Sequence, residues 1–137
     1  MITAVDANVL LDILVGKEEE AGLSERALRA AALAGQLVIS AICYAEVAGR
    51  FSSQGRADSF LQELSCEVQP LDQQIAFLAG QYFRSYRRRG GERSRILPDF
   101  LIAAHAQLKA DRLLSRDKRF FGASFPKLKT VSPGNLA

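Results

Sequence analysis

Ile2-Thr3-Ala4-Val5-Asp6-Ala7-Asn8-Val9-Leu10-Leu11-Asp12 opens the chain with a short apolar run that stops at an acid. A run of this kind, without polar alternation, reads as a strand covered on both faces of a parallel sheet. The residues that follow predict a short helix over 8–14, fading at Gly16. A buried strand, an acid at its carboxyl end and a helix form the first half of a βα unit.

Working outward, the same alternation returns. Ser24 is placed to cap a helix running to 34, closed by Gly35, and residues 37–39 read as a second strand. Ser40 caps a helix over 41–51, another helix covers 56–64, and a weak strand follows at 67–69. Residues 72–88 form the longest predicted helix, with Ile75, Leu78, Ala79 and Tyr82 on one face. The polar stretch 89–97 reads as an exposed loop, and Pro98 fits the first position of a helix continuing through Leu108. Residues 112–114 make a strand ending in Ser115-Arg116-Asp117, and a last strand is expected at 129–131. Alternating strands and helices predict a three-layer α/β/α arrangement around a central, mostly parallel sheet, with the 137 residues in a single domain.

Composition narrows the chemistry. Hydrophobic residues are 48% and charged residues 24% of the chain, ordinary for a globular protein. No apolar run approaches the length of a membrane span, and the opening residues lack the basic and apolar regions of a signal peptide; the expected location is cytoplasmic. Two cysteines, Cys43 and Cys66, lack metal-ligand spacing and read as buried thiols, and His105 is the only histidine. Zinc-finger, Ser-His-Asp and Cys-His chemistry are thereby excluded, leaving carboxylates. Residues 1–83 carry 5 Lys/Arg against 11 Asp/Glu, net −6, whereas 84–137 carry 13 against 4, net +9. Such asymmetry suits a protein that handles an anionic polymer near a carboxylate cluster.

Four acids fall where a parallel sheet binds its ligands, at the carboxyl ends of strands. Asp6 ends the first strand and Asp117 follows the strand at 112–114. Asp99 lies in the first turn of a helix, and Glu46 can reach back toward the end of the strand at 37–39. Three of them have apolar flanks: Ala4-Val5 before Asp6, Ala45 and Val47 around Glu46, Ile96-Leu97 and Phe100-Leu101 around Asp99. That setting predicts burial for Glu46 in particular. Two carboxylates about 4 Å apart repel by roughly 4 kcal/mol at an effective dielectric of about 20, so protons or cations must enter. Hard oxygen donors without His or Cys suit Mg²⁺ or Mn²⁺, which activate water and clamp a phosphodiester. The plain alternatives are a helix-terminal acid for Asp99 and ordinary turn acids for Asp6 and Asp117.

The segments Val5-Asp6-Ala7-Asn8-Val9-Leu10-Leu11-Asp12 and Ile39-Ser40-Ala41-Ile42-Cys43-Tyr44-Ala45-Glu46-Val47, the pair Pro98-Asp99 and the run Leu113-Leu114-Ser115-Arg116-Asp117 together resemble a PIN domain. The order and the spacings of 40, 53 and 18 residues between successive acids are similar to the VapC-type toxins of toxin–antitoxin modules. The resemblance covers residues 2–131. It implies an α/β/α fold and a Mg²⁺- or Mn²⁺-dependent endoribonuclease site in which Asp6, Glu46, Asp99 and Asp117 are catalytic and metal-binding. Asn8, Ser40 and Ser115 match supporting polar positions, Ser115 standing where Thr is frequent. It further implies a homodimer, a small cognate antitoxin and an RNA substrate.

Arg84, Arg87, Arg88, Arg89, Arg93 and Arg95 share twelve residues with one acid, Glu92. They read as a phosphate-contacting patch, with Arg89, Arg93 and Arg95 the candidate RNA contacts, or as a solvated helix end complementing the helix dipole. Tyr82, Phe83 and Tyr86 read as core or interface residues, His105 as a packed helix residue, Asp12 as outside the site, and Glu18-Glu19-Glu20 as a solvated loop. Three other functions fit parts of the pattern: a PIN-type RNA-processing nuclease without antitoxin, a receiver-like signalling domain with Asp6 as phosphoacceptor and Lys118 as its lysine, and a non-catalytic RNA-binding domain.

Overall fold

The computed structural model describes residues 1–137. Five strands, β1 (Ile2–Val5), β2 (Gln36–Ser40), β3 (Cys66–Gln69), β4 (Arg112–Leu114) and β5 (Thr130–Val131), form one sheet in the order β3-β2-β1-β4-β5, and every pairing is parallel. Helices α1 (Ala7–Val15) and α2 (Glu18–Ala34) connect β1 to β2, and α3 (Ala41–Ala48) and α4 (Gln54–Glu63) connect β2 to β3. The chain then crosses back through α5 (Gln73–Arg88) and α6 (Leu97–Lys109) to β4, and finishes with α7 (Lys118–Ser124), β5 and α8 (Pro133–Leu136). Strand order runs outward from β1 to β3 and then reverses to β4 and β5. With right-handed crossovers, that reversal puts the connecting helices on opposite faces. It also makes the gap between β1 and β4 the switch point at which such sheets bind ligands. A receiver-like domain has the order 2-1-3-4-5, so that alternative fails on topology; Lys118 instead donates to Asn135 Oδ1 at 3.0 Å.

The core consists of apolar side chains from both helix layers closing on β1, β2 and β4, with Val5, Val38, Ile39 and Leu114 all but inaccessible. One helix layer contributes an aromatic group. Tyr82, Phe83 and Tyr86 of α5 meet Phe100 of α6 and Phe120 and Phe125 at α7, with Tyr82–Phe125 and Tyr86–Phe100 centroids 4.8 and 5.3 Å apart. Tyr82, Phe83 and Tyr86 are therefore partly buried residues packed against the core. Gly35 is fixed by close approach rather than by capping alone. Its φ is +154°, a Cβ there would lie 1.9 Å from the Met1 carbonyl oxygen, and that same oxygen accepts from Gln36 N at 3.0 Å to start the β1–β2 ladder.

Most element boundaries agree with expectation within a residue or two, and Ser40 and Asp72 cap α3 and α5 through Cys43 N and Ile75 N. Other expectations fail, and α3 stops at Ala48 rather than at 51. Helix α2 begins at Glu18, so Glu18, Glu19 and Glu20 form its first turn, where acids complement the positive end of the helix dipole. Ser24 is consequently no cap; it is buried inside α2 and donates to Asp12 Oδ2 at 2.8 Å. Helices α7 and α8 were not anticipated, because seven and four residues are too short to show a period. In α6, Leu97 takes the first position and Pro98 the second.

His105 is packed as expected, almost fully buried with a ring nitrogen 2.9 Å from Gln69 Oε1. Burial first, then the Lys109 charge, lowers its pKa from 6.5 to about 4. A base with a depressed folded pKa adds stability above its unfolded pKa and loses it as pH falls toward the folded one. We predict that the wild-type melting temperature drops between pH 6.5 and 4 more steeply than that of His105→Gln, whatever offset separates them at pH 8. Parallel pH profiles in differential scanning calorimetry would rule this out.

Candidate active site

The site is built where β1 and β4 end side by side. The strands pair Val5 with Leu114, and Asp6 N extends the ladder by donating to Leu114 O at 2.9 Å. Asp6 is therefore delivered to the sheet edge by backbone register, buried at 7% exposure. Across from it, Ser115 uses its whole hydroxyl. The Oγ donates to Asp6 Oδ2 at 2.7 Å and accepts from Asp117 N at 2.9 Å and from Asn8 Nδ2 at 3.3 Å. One donor and two acceptor sites are all a hydroxyl has. Asn8 Oδ1 in turn accepts from Arg116 N at 3.2 Å, so Asn8 and Ser115 lock the β4–α7 turn onto the start of α1. Ser40 acts one step further away, capping α3 and thereby setting the helix that carries Glu46.

The four acids are brought into one electrostatic neighbourhood. Burial raises the Asp6 pKa; hydrogen bonds from Ser115 and the Ala7 amide pull it down, and the charges of Asp117 and Asp99 push it up again. Glu46 is raised by lost hydration first, then by Asp6 and Asp99. Contrary to the expectation of burial, Glu46 is exposed by surface area. The two observations are compatible, since a carboxylate can keep solvent at its tip while neighbouring protein displaces part of its hydration shell. Asp99 is half-buried and does serve its helix, Oδ2 accepting from Ile96 N at 3.1 Å. Both Asp117 oxygens are engaged by Arg95, at 2.6 and 3.4 Å. Near the acids, the Cys43 thiol lies 3.9 Å from Asp6 Oδ1, and burial, then Asp6, holds it firmly protonated.

No three His, Cys, Asp or Glu side chains converge into a ready metal-ligand set. What the site offers is donor chemistry: Glu46 accepts no hydrogen bond, Asp6 Oδ1 lies 3.9 Å from the Cys43 thiol, and Asp99 keeps one oxygen free. Hard carboxylate oxygens, with Asp6 and Glu46 raised first by burial and then by nearby acids, fit a hard divalent cation.

Two groups escaped the sequence reading. Asp12, set aside, is buried, accepts from Ser24 Oγ at 2.8 Å and forms an ion pair with Arg116, whose Nε lies 2.8 Å from Oδ2, tying α1, α2 and the turn before Asp117 together. The apolar flanks that singled out Glu46 apply equally to Asp12, between Leu10-Leu11 and Ile13-Leu14. Buried Arg112 donates to Thr3 Oγ1 at 2.9 Å, a contact that only the strand register reveals. In the arginine cluster, Arg87 and Arg88 complete the last turn of α5, Arg89 is its exposed C-cap, and Arg93 is exposed in the loop.

Acids placed near the switch point of a parallel sheet mark the place where α/β folds of this class bind ligands, and comparison with known proteins gives the family. The chain belongs to the PIN domain family, whose pattern matches residues 3–125. Among solved structures it is similar to VapBC2 from Rickettsia felis bound to a promoter DNA fragment (TM-score 0.74, 20% identity, 96% of this chain and 98% of that one). It is also similar to a toxin–antitoxin complex from Klebsiella pneumoniae (TM-score 0.71, 27% identity, 96% and 97% covered). VapBC-1 from nontypeable Haemophilus influenzae gives a TM-score of 0.71 at 23% identity, with 98% and 99% covered. No curated protein matches the chain.

We predict that Ser115→Ala, which strands Asn8 Nδ2, Asp117 N and Asp6 Oδ2, costs about 1–3 kcal/mol in urea unfolding, while Ser115→Thr recovers most of it. An Ala variant as stable as wild type would show that the hydroxyl is not the clamp.

Proposed function

We propose that the protein is a VapC-type PIN nuclease, the toxin of a toxin–antitoxin pair, which hydrolyses RNA with a divalent metal ion. The observation that carries this is that Glu46, Asp99 and Asp117, from three separate segments, all lie within electrostatic reach of Asp6 near the β1–β4 switch point, where burial first and then the neighbouring acids raise the pKa of Asp6 and Glu46. PIN family membership supports a nuclease, and the likeness to toxin–antitoxin complexes supports a small antitoxin partner.

Asp6, Glu46 and Asp99 are the residues that would hold Mg²⁺ or Mn²⁺, with Asp117 joining once released from Arg95. The ion, when bound, supplies an acidified water and charge neutralisation at the phosphate. The chain's own contribution is position. Backbone register and the Ser115 hydroxyl fix the Asp6 carboxylate, Ser40 fixes the helix that aims Glu46, and the first turn of α6 fixes Asp99. Arg95 presents positive charge at Asp117, and it and the exposed Arg89 and Arg93 would meet the RNA backbone. The unit acts over residues 1–137 as a homodimer in the cytoplasm. No helix is long and apolar enough to cross a membrane.

The test is RNA cleavage by antitoxin-free protein on a panel of structured RNAs with Mg²⁺ or Mn²⁺, beside EDTA and Asp99→Asn controls. Cleavage is expected to vanish in EDTA and to fall at least about a hundredfold in Asp99→Asn, more than the 10–100-fold typical of an outer-shell change, with circular dichroism unchanged. Cleavage that persists at wild-type rate in EDTA would refute the metal mechanism.

A further inference from the structure

Of the six arginines between 84 and 95, only Arg95 makes an ion pair. Its Nη1 donates to Asp117 Oδ2 at 2.6 Å and its Nη2 to Oδ1 at 3.4 Å, a fork meeting a fork. The guanidinium carbon also stands 3.9 Å from the centroid of the Phe120 ring, on α7 just beyond Asp117. Burial opposes the Arg95 charge, but the Asp117 hydrogen bond and the charges of Asp117 and Asp99 outweigh it and raise its pKa. Asp117 thus differs from the other three acids, because both its oxygens already face a cation that belongs to the chain.

The pair is not sealed. Its side chains keep 26% and 35% exposure, so water and dissolved ions reach the pair and screen it. A cleft of about 370 Å³ opens beside it, lined by Tyr86, Glu92, Arg119, Phe120 and Ser124 as well as the pair itself. Arg119 adds a second, exposed positive charge with no ion-pair partner. An anion entering the cleft therefore meets Arg95 from its open side. A guanidinium fork fits a phosphate as well as a carboxylate.

We propose that Arg95 is an exchangeable internal counter-ion for Asp117, which leaves that carboxylate for an RNA phosphodiester entering the cleft, so that phosphate binding and divalent-cation binding at Asp117 favour each other. This rests on the metal-nuclease reading above. Without phosphate, Arg95 competes with the ion for Asp117; with phosphate in the cleft, Asp117 is released beside the other acids. The coupling is reciprocal, since two ligands linked through one residue change each other's affinity by the same factor.

The test titrates Mn²⁺ into wild type, Arg95→Gln, Arg119→Gln, Asp117→Asn and the Arg95→Gln/Asp117→Asn double variant at fixed ionic strength, with circular dichroism on each. Binding of a single-stranded RNA 20-mer is measured separately in EDTA. Arg95→Gln is expected to tighten Mn²⁺ by about fivefold or more while weakening RNA binding. Arg119→Gln removes the same charge from the cleft without freeing Asp117, so its Mn²⁺ affinity should change less than about twofold. In the Asp117→Asn background, Arg95→Gln should shift Mn²⁺ affinity no more than Arg119→Gln does, less than about twofold, while still weakening RNA binding. Opposite effects on metal and RNA from one substitution are not what a purely structural arginine gives. The proposal is overturned if Arg95→Gln behaves like Arg119→Gln, or if its effect on Mn²⁺ survives in Asp117→Asn. If neither wild type nor Arg95→Gln binds Mn²⁺, the metal reading falls and the proposal with it, a failure distinct from the other two.

Discussion

The Asp6 carboxylate, held at the buried end of β1 by the Ser115 hydroxyl of the β4 edge, is the constraint around which the site is arranged. A carboxylate at this depth is costly unless hydrogen bonds or cations offset its lost hydration. The fold supplies both offsets at one place. Parallel pairing of β1 with β4 sets the two chain ends at the same height, and the hydroxyl that satisfies Asp6 also accepts from Asn8 and from the Asp117 amide. The hydrogen bonds lower the Asp6 pKa without cancelling the effect of burial, and Asp99 and Asp117 add to the rise. What remains is an unrelieved preference for positive charge, which is the physical basis for placing a divalent ion there.

Two internal arginines answer part of that preference, and their placement differs in kind. Arg116 pairs with buried Asp12, which also holds Ser24, so it belongs to the scaffold behind the turn. Arg95 comes from a polar loop and reaches Asp117 across 22 residues of sequence, in a setting open enough for exchange. The two pairs thus do different work, one tying the turn before Asp117 to α1 and the other bringing a loop cation to an acid of the candidate site.

Much of this was legible in the chain. Strands β1, β2 and β4 could be located because a covered parallel strand reads as a short apolar run, whereas β3 and β5 lie at the sheet edges with weaker patterns, and Asp6 and Asp117 stood out because each follows such a run. Ser40 and Asp72 announced helix starts through ordinary capping chemistry. Charge misled at Glu18–Glu20, where three acids look like a solvated loop but stabilise a helix N-terminus. Ser24 misled for the same reason in reverse, a good capping residue used instead as a buried donor to Asp12. Glu46 has the apolar neighbours of a buried acid, yet faces outward because Val47, not Glu46, points into the core. The Arg95–Asp117 and Arg112–Thr3 contacts join residues 22 and 109 apart, and no local pattern encodes them.

The central claim, that these carboxylates together bind a divalent cation, is tested most directly by thermal unfolding across a Mn²⁺ series. An ion that binds only the folded protein raises the melting temperature with concentration. We expect such a rise in wild type and its loss in Asp6→Asn and Asp99→Asn. A wild-type melting temperature indifferent to Mn²⁺, or a rise of equal size in both variants, would contradict the claim.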